Sequence, residues 1–527
     1  MALGIILKIV LVGLGLYFLK SRLVQLKNGK QAPLPPGPKP RFLIGNLPDL
    51  PRDGELEFIH WLKHKDLYGP ISSVTIMSQT IVIINEARIA FDLLEKRSSI
   101  HSSRPKQIFA GEMVGWENSL GGSPYSNLFR AHRKNMSRII GSKNVAAQFN
   151  DLQVVEAGHF LSRVLDNPDG LGEHIRKQAG AVILKISHGY TIEPHKKDPL
   201  VDLVTEAMDQ FGQAAVPGAW LVDIMPFLRY LPDWFPGTEF KRTAAKWRNT
   251  LTEAAEKPFA FVKHQMACGQ NEMSFLSRLL EQGDMTPEES FVVKWSALSL
   301  YAAGADTTVS SIAWFFLAMT VYPEVQRKAQ EEIDRVVGSD RLPGFEDRQN
   351  LPYIDAIVKE TLRWNPVGPM GLPHMTTEDD LYEGYLIPKG AVILPNIWYF
   401  CHDPSVYHDP MAFKPERYLS STPEPDPHNT AFGFGRRICP GRILADSSLY
   451  LSIAQSLAVF RISKAVDSTG KEIDPPVSPQ PGIVCHPSPF QTNIKPRSEK
   501  HEALIRSIEQ IHPWKESDAS ILEGIQP

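Results

Sequence analysis

The stretch Phe432-Gly433-Phe434-Gly435-Arg436-Arg437-Ile438-Cys439-Pro440-Gly441 decides how this chain reads. Two glycines, a cysteine and a Pro-Gly pair make a tight loop, and its small residues let a flat ligand approach the main chain closely. Neighbouring amides stabilise a thiolate, and Arg436 and Arg437 are expected to lower its pKa. A helical pattern follows from Arg442, which puts Cys439 near a helix N-terminus. A thiolate presented this way is an axial iron ligand or a nucleophile. The plainer alternative is a buried cysteine in a glycine-rich turn.

Upstream, Ala303-Gly304-Ala305-Asp306-Thr307-Thr308 interrupts an apolar run over 290–321, bounded by Pro287 and Pro323, that reads as one long buried helix. A helical Gly costs about 1 kcal/mol relative to Ala. Thr307 and Thr308 can bond back to carbonyls one turn earlier and bend the helix. An acid and an alcohol at such a bend can hold water beside a ligand; a satisfied polar kink is the alternative. Further on, Glu360 and Arg363 stand three apart on one face of a helix read over 353–364. Exposed, that pair would contribute under about 1 kcal/mol.

Composition narrows the class. The 527 residues are 43% hydrophobic and 22% charged, which excludes a disordered, collagen-like or disulfide-framework chain. A net charge of −3 offers no global case for nucleic-acid binding. The cysteines, Cys268, Cys401, Cys439 and Cys485, form no zinc pattern and fit a reducing compartment.

At the start, Ala2 to Leu19 is apolar except for Lys8, followed by Lys20, Arg22, Lys27 and Lys30, with no acid before Asp49. Eighteen helical residues span about 27 Å, near the thickness of a bilayer core. Basic residues after the span place the rest of the chain in the cytosol. A cleaved signal is disfavoured, because no small-residue cleavage site lies near Leu19. Residues 1–20 are thus read as a transmembrane anchor and 21–40 as a basic, proline-rich linker, stiffened by Pro33-Leu34-Pro35-Pro36-Gly37-Pro38-Lys39-Pro40. Residues 41–527 read as a single domain. Short strands are expected at Ile71–Ile76, Ile81–Ile84 and Ala391–Leu394, and proline-rich loops at 421–427 and 475–489. The class is mostly α (α+β).

The cysteine stretch matches Phe-x-x-Gly-x-Arg-x-Cys-x-Gly, and so resembles the haem-binding loop of the cytochrome P-450 family. The resemblance implies haem b, with Cys439 as the axial haem iron ligand, Phe432 in the cofactor loop and Arg437 on a propionate. The 303–308 segment resembles the family's oxygen-activation motif, which makes Asp306 and Thr307 the catalytic acid–alcohol pair and Gly304 the residue that leaves room over the haem. Glu360 and Arg363 resemble the family's internal Glu-x-x-Arg. Their partner Arg417, from Pro415-Glu416-Arg417-Tyr418, completes a structural brace. Phe129-Arg130-Ala131-His132-Arg133 is similar to Trp-x-x-x-Arg, with Phe129 in place of Trp, and implies that Arg133 binds a propionate. His374, in Gly371-Leu372-Pro373-His374, is either a further propionate contact or structural.

These motifs occur in the family's order over roughly residues 35–490, which implies the family's fold: a long central helix over haem and small β-sheets. The anchor and proline hinge resemble the endoplasmic-reticulum type, single-pass with a cytosolic catalytic domain. That type takes NADPH electrons from a separate diflavin reductase, with cytochrome b5 as an additional donor. No flavin or nicotinamide fingerprint occurs in the chain. Lys134, Arg138, Arg436 and Arg442 are candidates for the reductase's docking face. Asn135-Met136-Ser137 is a glycosylation sequon that a cytosolic domain would leave unused.

By analogy the pocket is lined by residues 105–125, 205–240, the first half of the long helix, 367–372 and 481–487. Their apolar character favours a neutral hydrophobic small molecule, and Trp220 to Phe235 reads as a membrane-facing surface or as ordinary core. His101-Ser102-Ser103-Arg104-Pro105 and Val216-Pro217-Gly218-Ala219-Trp220 resemble segments of fungal secondary-metabolism oxidases, including sterigmatocystin-type polyketide oxidases and tryptamine hydroxylases. The reading is a fungal haem-thiolate monooxygenase that hydroxylates a terpenoid first, or an aromatic polyketide or indole. A haem-thiolate isomerase or dehydratase, and a non-catalytic haem-binding membrane protein, are the alternatives.

Overall fold

The structure, a computed structural model, describes residues 32–525 apart from positions 53, 78 and 217. The anchor expected over 1–20, and the linker as far as residue 31, lie outside the described residues. Among the described residues no single helix is long and apolar enough to cross a membrane.

Helices dominate. The longer ones are α1 (Glu57–Tyr68), α2 (Asn127–Ile140), α3 (Asn150–Asp166), α4 (Leu171–His188), α5 (Pro199–Ala214), α6 (Glu239–Ala267), α7 (Pro287–Val321), α8 (Pro323–Val336), α9 (Pro352–Trp364), α10 (Arg442–Val459) and α11 (Glu499–Ile511). Several start on proline, whose missing N–H is no loss in a first turn. The 35-residue α7 opens with Pro287 inside a capping box of Thr286 and Glu289. It therefore starts three residues before the expected 290. α7 packs against α4, α2, α5 and α10.

Four short strands form one sheet in the order β1 (Ile71–Ile76), β2 (Gln79–Ile84), β6 (Val392–Pro395), β3 (His374–Met375). Gln79 extends β2 beyond the expected start, and β6 is shifted by one residue. β2 and β6 run parallel with Ile81 opposite Val392. β3 runs antiparallel to β6 and sets His374 opposite Ile393. Two hairpin-like pairs, β4 (Asp380–Tyr382) with β5 (Tyr385–Ile387) and β7 (Phe460–Lys464) with β8 (Thr492–Pro496), complete the strands. The proline stretch is tied down: Pro36 O accepts from Ser73 N–H at 2.8 Å and Pro33 O from Leu386 N–H at 2.7 Å.

Two apolar clusters meet along α7. One takes in Val293 to Ala302 with α4, α5 and α6; the other takes in Val309 to Met319 with α3, α9 and α10. Between them residues 303–308 are exposed or half-buried, and this break faces the cavity described next.

Candidate active site

The cysteine loop is built on two left-handed glycines, Gly433 (φ 77°) and Gly435 (φ 51°). A Cβ at Gly435 would stand 2.3 Å from Leu94 O, so only glycine lets the loop press onto the helical segment Phe91–Lys96. The loop closes on itself: Cys439 N–H donates to Phe432 O at 2.8 Å and Arg437 N–H to Phe434 O at 3.1 Å.

Cys439 is half-buried and opens onto a cavity of about 410 Å³, within the range of roughly 300–1,000 Å³ usual for small-molecule sites. Burial pushes its thiol pKa up. The Gly441 amide, Arg133 and Arg442 pull the other way. The cations beside the sulfur are thus Arg133 and Arg442, not Arg436 and Arg437 as the sequence suggested. Arg437 is turned elsewhere, and Arg436 donates to Tyr125 OH at 2.8 Å.

Three guanidiniums line the cavity: Arg104, Arg133 and Arg437. Each spends its donors on main-chain carbonyls. Arg437 donates to Ser102 O at 2.6 Å and Ser123 O at 2.9 Å, Arg133 to Ile438 O at 2.6 Å, and Arg104 to Leu372 O at 2.9 Å and Pro373 O at 2.8 Å. No carboxylate neutralises any of them among the described residues. Burial, with Arg133 nearby, lowers Arg437 to about 10. Burial, with Arg437 nearby, drives Arg104 well below the usual guanidinium range. Clustered buried cations without an anion are costly, so this rim is built for one. Arg104 is the residue that the sequence reading missed as a site residue, since it was singled out there only for its family likeness.

His374 also lines the cavity, with Nδ1–H donating to His101 O at 2.8 Å. Burial and then Arg104 push its pKa far down, so the ring is neutral and presents a lone pair at Nε2.

On the opposite wall, α7 contributes Ala303, Gly304, Thr307 and Thr308. Thr307 Oγ1 donates back to Ala303 O at 2.6 Å, the helix-bending bond expected of it. Gly304 lines the cavity, but its absent Cβ points at α4: an added Cβ would stand 2.5 Å from Ile183 Cγ1. Its small size sets the approach of two helices. Asp306 stays outside the cavity lining. Its Oδ1 takes a hydrogen bond from His486 Nε2 at 3.0 Å, a partner that no sequence pattern signalled.

Glu360, Arg363 and Arg417 come together at the C-terminal end of α9. Arg363 grips Glu360 with two bonds of 2.8 Å, and Arg417 Nε meets both Glu360 oxygens at 3.1 Å. Both side chains of the Glu360–Arg363 pair are fully buried. Lys414 N–H and Tyr418 OH fill the remaining acceptor positions of Glu360, at 2.7 and 3.2 Å. Arg363 also donates to Cys401 O and Pro410 O, stitching the loops before the cysteine to α9.

Most of the remaining wall is apolar, with Trp116, Phe129, Ile183, Phe211 and Ile483, interrupted by Gln178, Ser299, Ser452 and Asp446. Trp220 stacks on Phe109 at 3.5 Å, while Leu221, Phe227, Tyr230 and Trp234 (81% exposed) face outward. The 220–235 stretch is thus divided between core and surface and does not line the cavity. Lys134, Arg138 and Arg436 are exposed, whereas Arg442 is half-buried.

A thiol-bearing loop, a small-residue helix wall opposite it and an unneutralised cationic rim together fit a flat, dianionic, iron-bearing macrocycle. The cytochrome P-450 family model matches residues 35–494. The chain belongs to the cytochrome P-450 family. It is 51% identical over 510 residues to the cytochrome P-450 monooxygenase claR of Ampulloclitocybe clavipes, covering 96% of this chain and 94% of the relative. It is 48% identical over 502 residues to the monooxygenase ppsD of Aspergillus oryzae, covering 94% of each. The O-methylsterigmatocystin oxidoreductase of Aspergillus flavus is 45% identical over 512 residues, covering 96% of each. Cytochrome P-450 monooxygenases are oxidoreductases that carry haem iron, and this chain is one of them.

Proposed function

We propose that this monooxygenase hydroxylates a neutral, hydrophobic small molecule of fungal secondary metabolism, a terpenoid first. The balance is RH + O2 + NADPH + H+ giving ROH + H2O + NADP+. The observation that carries the reading is one mostly apolar cavity lined by Cys439, Thr307 and three guanidiniums that have no carboxylate partner among the described residues. Haem held there by Cys439 would supply the oxidation of the substrate.

The chain's own residues do the rest. Cys439 Sγ is the ligand. Arg104, Arg133 and Arg437 hold the propionates, with His374 offering a single neutral nitrogen beside them. Thr307 and Asp306 supply protons from the α7 side, and the apolar wall excludes bulk water and orients the substrate. Glu360, Arg363 and Arg417 keep the cysteine loop in place. Electrons come from a separate NADPH-dependent diflavin reductase, with the enzyme anchored in the endoplasmic-reticulum membrane through residues 1–20.

A second reading, an aromatic polyketide substrate, is favoured by the wall itself. Trp116 and Phe211 lie 4.6 Å apart and Phe129 stands in the same wall, a set suited to flat rings. The Aspergillus flavus relative is named for O-methylsterigmatocystin.

The test is incubation of yeast microsomes carrying this chain and a reductase with NADPH and a panel of terpene hydrocarbons, aromatic polyketides and indole amines. Mass spectrometry should find one added oxygen in one class, absent with Cys439→Ala. No reductase-dependent NADPH consumption at all would overturn the monooxygenase reading.

A further inference from the structure

The loop over 478–488 is fastened to α7 at two adjacent turns. Cys485 O accepts from Ser310 Oγ at 2.7 Å and from Trp314 Nε1 at 2.9 Å, and Cys485 N–H donates to Val367 O at 2.8 Å. One residue further, His486 Nε2 reaches Asp306 Oδ1 at 3.0 Å. The two residues before, Ile483 and Val484, line the cavity. The loop is therefore cavity wall on one side and partner of the acid on the other.

The pair stands between cavity and solvent. Asp306 and His486 are 26% and 28% exposed, and neither lines the cavity, whereas Thr307, next in the chain, does. The charged group that the pair meets from the packed helices is Asp209 of α5, which in turn interacts with Glu206 of α5 and Arg176 of α4. Partial burial of the Asp209 carboxyl, then the Asp306 charge, raise the Asp209 pKa. A carboxylate on the outer side of the catalytic helix, bonded to a ring with a water-accessible edge, has the geometry of a proton entry.

We propose that His486 is the positioning residue of Asp306, holding its carboxylate on the solvent side of α7 and resupplying it with protons. When Asp306 gives a proton toward the cavity, the Nε2–H bond of the His486 imidazolium breaks and an O–H bond forms on Oδ1. The neutral ring keeps its proton on Nδ1, and its freed Nε2 takes a proton from solvent when the half-exposed ring swings away from Asp306. This inference rests on the monooxygenase reading above.

The experiment needs no knowledge of the organic substrate, because dioxygen itself is the probe. Haem-loaded full chain with reductase consumes one NADPH per O2 when peroxide leaves, and two per O2 when water forms. The water route needs further proton deliveries. His486→Gln keeps a hydrogen-bond donor but cannot pass a proton. It should shift the partition several-fold toward peroxide and flatten its pH profile, and Asp306→Asn should match it. The double variant should be no worse than either single one. Amide exchange across 478–488, which needs no turnover, should stay as in the parent for His486→Gln. Parent-like partition and pH profile in His486→Gln would overturn the proposal, as would additive effects in the double variant. Faster loop exchange accompanying the shift would overturn it too, by making His486 a tether alone. A parent enzyme that consumes no NADPH would instead overturn the monooxygenase reading, and the relay with it.

Discussion

The guanidinium of Arg437 lies over the ring of Phe129, 3.8 Å from its centroid. This contact joins the cysteine loop to α2, at the position where the family pattern has tryptophan. No indole N–H is present, yet the aromatic face is kept and meets a buried cation that has no carboxylate partner. Cation–π contacts contribute about 0.5–2 kcal/mol, most when desolvated.

Phe129→Leu should therefore lower stability by about 1–3 kcal/mol, adding the lost contact to lost packing. Phe129→Trp should retain most of that stability, since a ring face remains. Urea unfolding of both variants is the check; equal losses in the two would remove the π contribution.

Glu360→Gln leaves Arg363 and Arg417 buried with one neutral partner. Breaking a buried pair costs about 3–5 kcal/mol. We expect a poorly folding chain with little haem bound, measured by soluble yield and thermal unfolding, although Glu360 touches no part of the cavity lining. A normal yield with normal unfolding would place the brace outside the folding core.

Cys439→Ala should remain folded, because the loop is held by Phe432 O, Leu94 and the glycines rather than by the sulfur. Its carbon monoxide difference spectrum should lose the thiolate signature. A retained signature would assign the ligand elsewhere.

His428 sits between Asp426 (2.6 Å from Nδ1) and Asp446 (3.0 Å from Nε2), and Asp446 is also held by Arg348. Burial alone would lower the ring's pKa, but the two carboxylates raise it from 6.5 to about 9. A raised folded-state pKa contributes stability that is fully present below the unfolded value and lost as pH rises through the folded one. Unfolding free energy should thus fall between pH 6.5 and 9 by at most about 3 kcal/mol, reduced by the ring's partial exposure. His428→Gln should remove that slope, as denaturant titrations at several pH values would show.

Gly304→Ala should cost about 1–2 kcal/mol despite alanine's better helix propensity, because the new methyl meets Ile183. Adding Ile183→Ala should recover part of the loss, so the double variant is more stable than the two single effects sum to. Strict additivity in unfolding would show that the helices do not meet there.

What the sequence determined by itself was local. Prolines mark helix starts because they suit a first turn and no later one, so α7 and α9 begin within a few residues of where the chain reads them. The strand Ile71–Ile76 and the glycine–cysteine loop are likewise runs of adjacent residues. Glu360 and Arg363 share a face because three residues nearly complete a helical turn.

Tertiary structure decided which distant groups meet. His486 is 180 residues from Asp306, Arg437 more than 300 from Phe129, and Arg104 reaches carbonyls some 270 residues away. No periodicity encodes such pairings. Arg133 and Arg442, rather than the adjacent Arg436 and Arg437, are the charges that Cys439 feels, because Arg437 is drawn to the Ser102 and Ser123 carbonyls and Arg436 to Tyr125. Proximity along a chain and proximity in space part company wherever a tight turn stands between them, and it is there that the site's electrostatics are set.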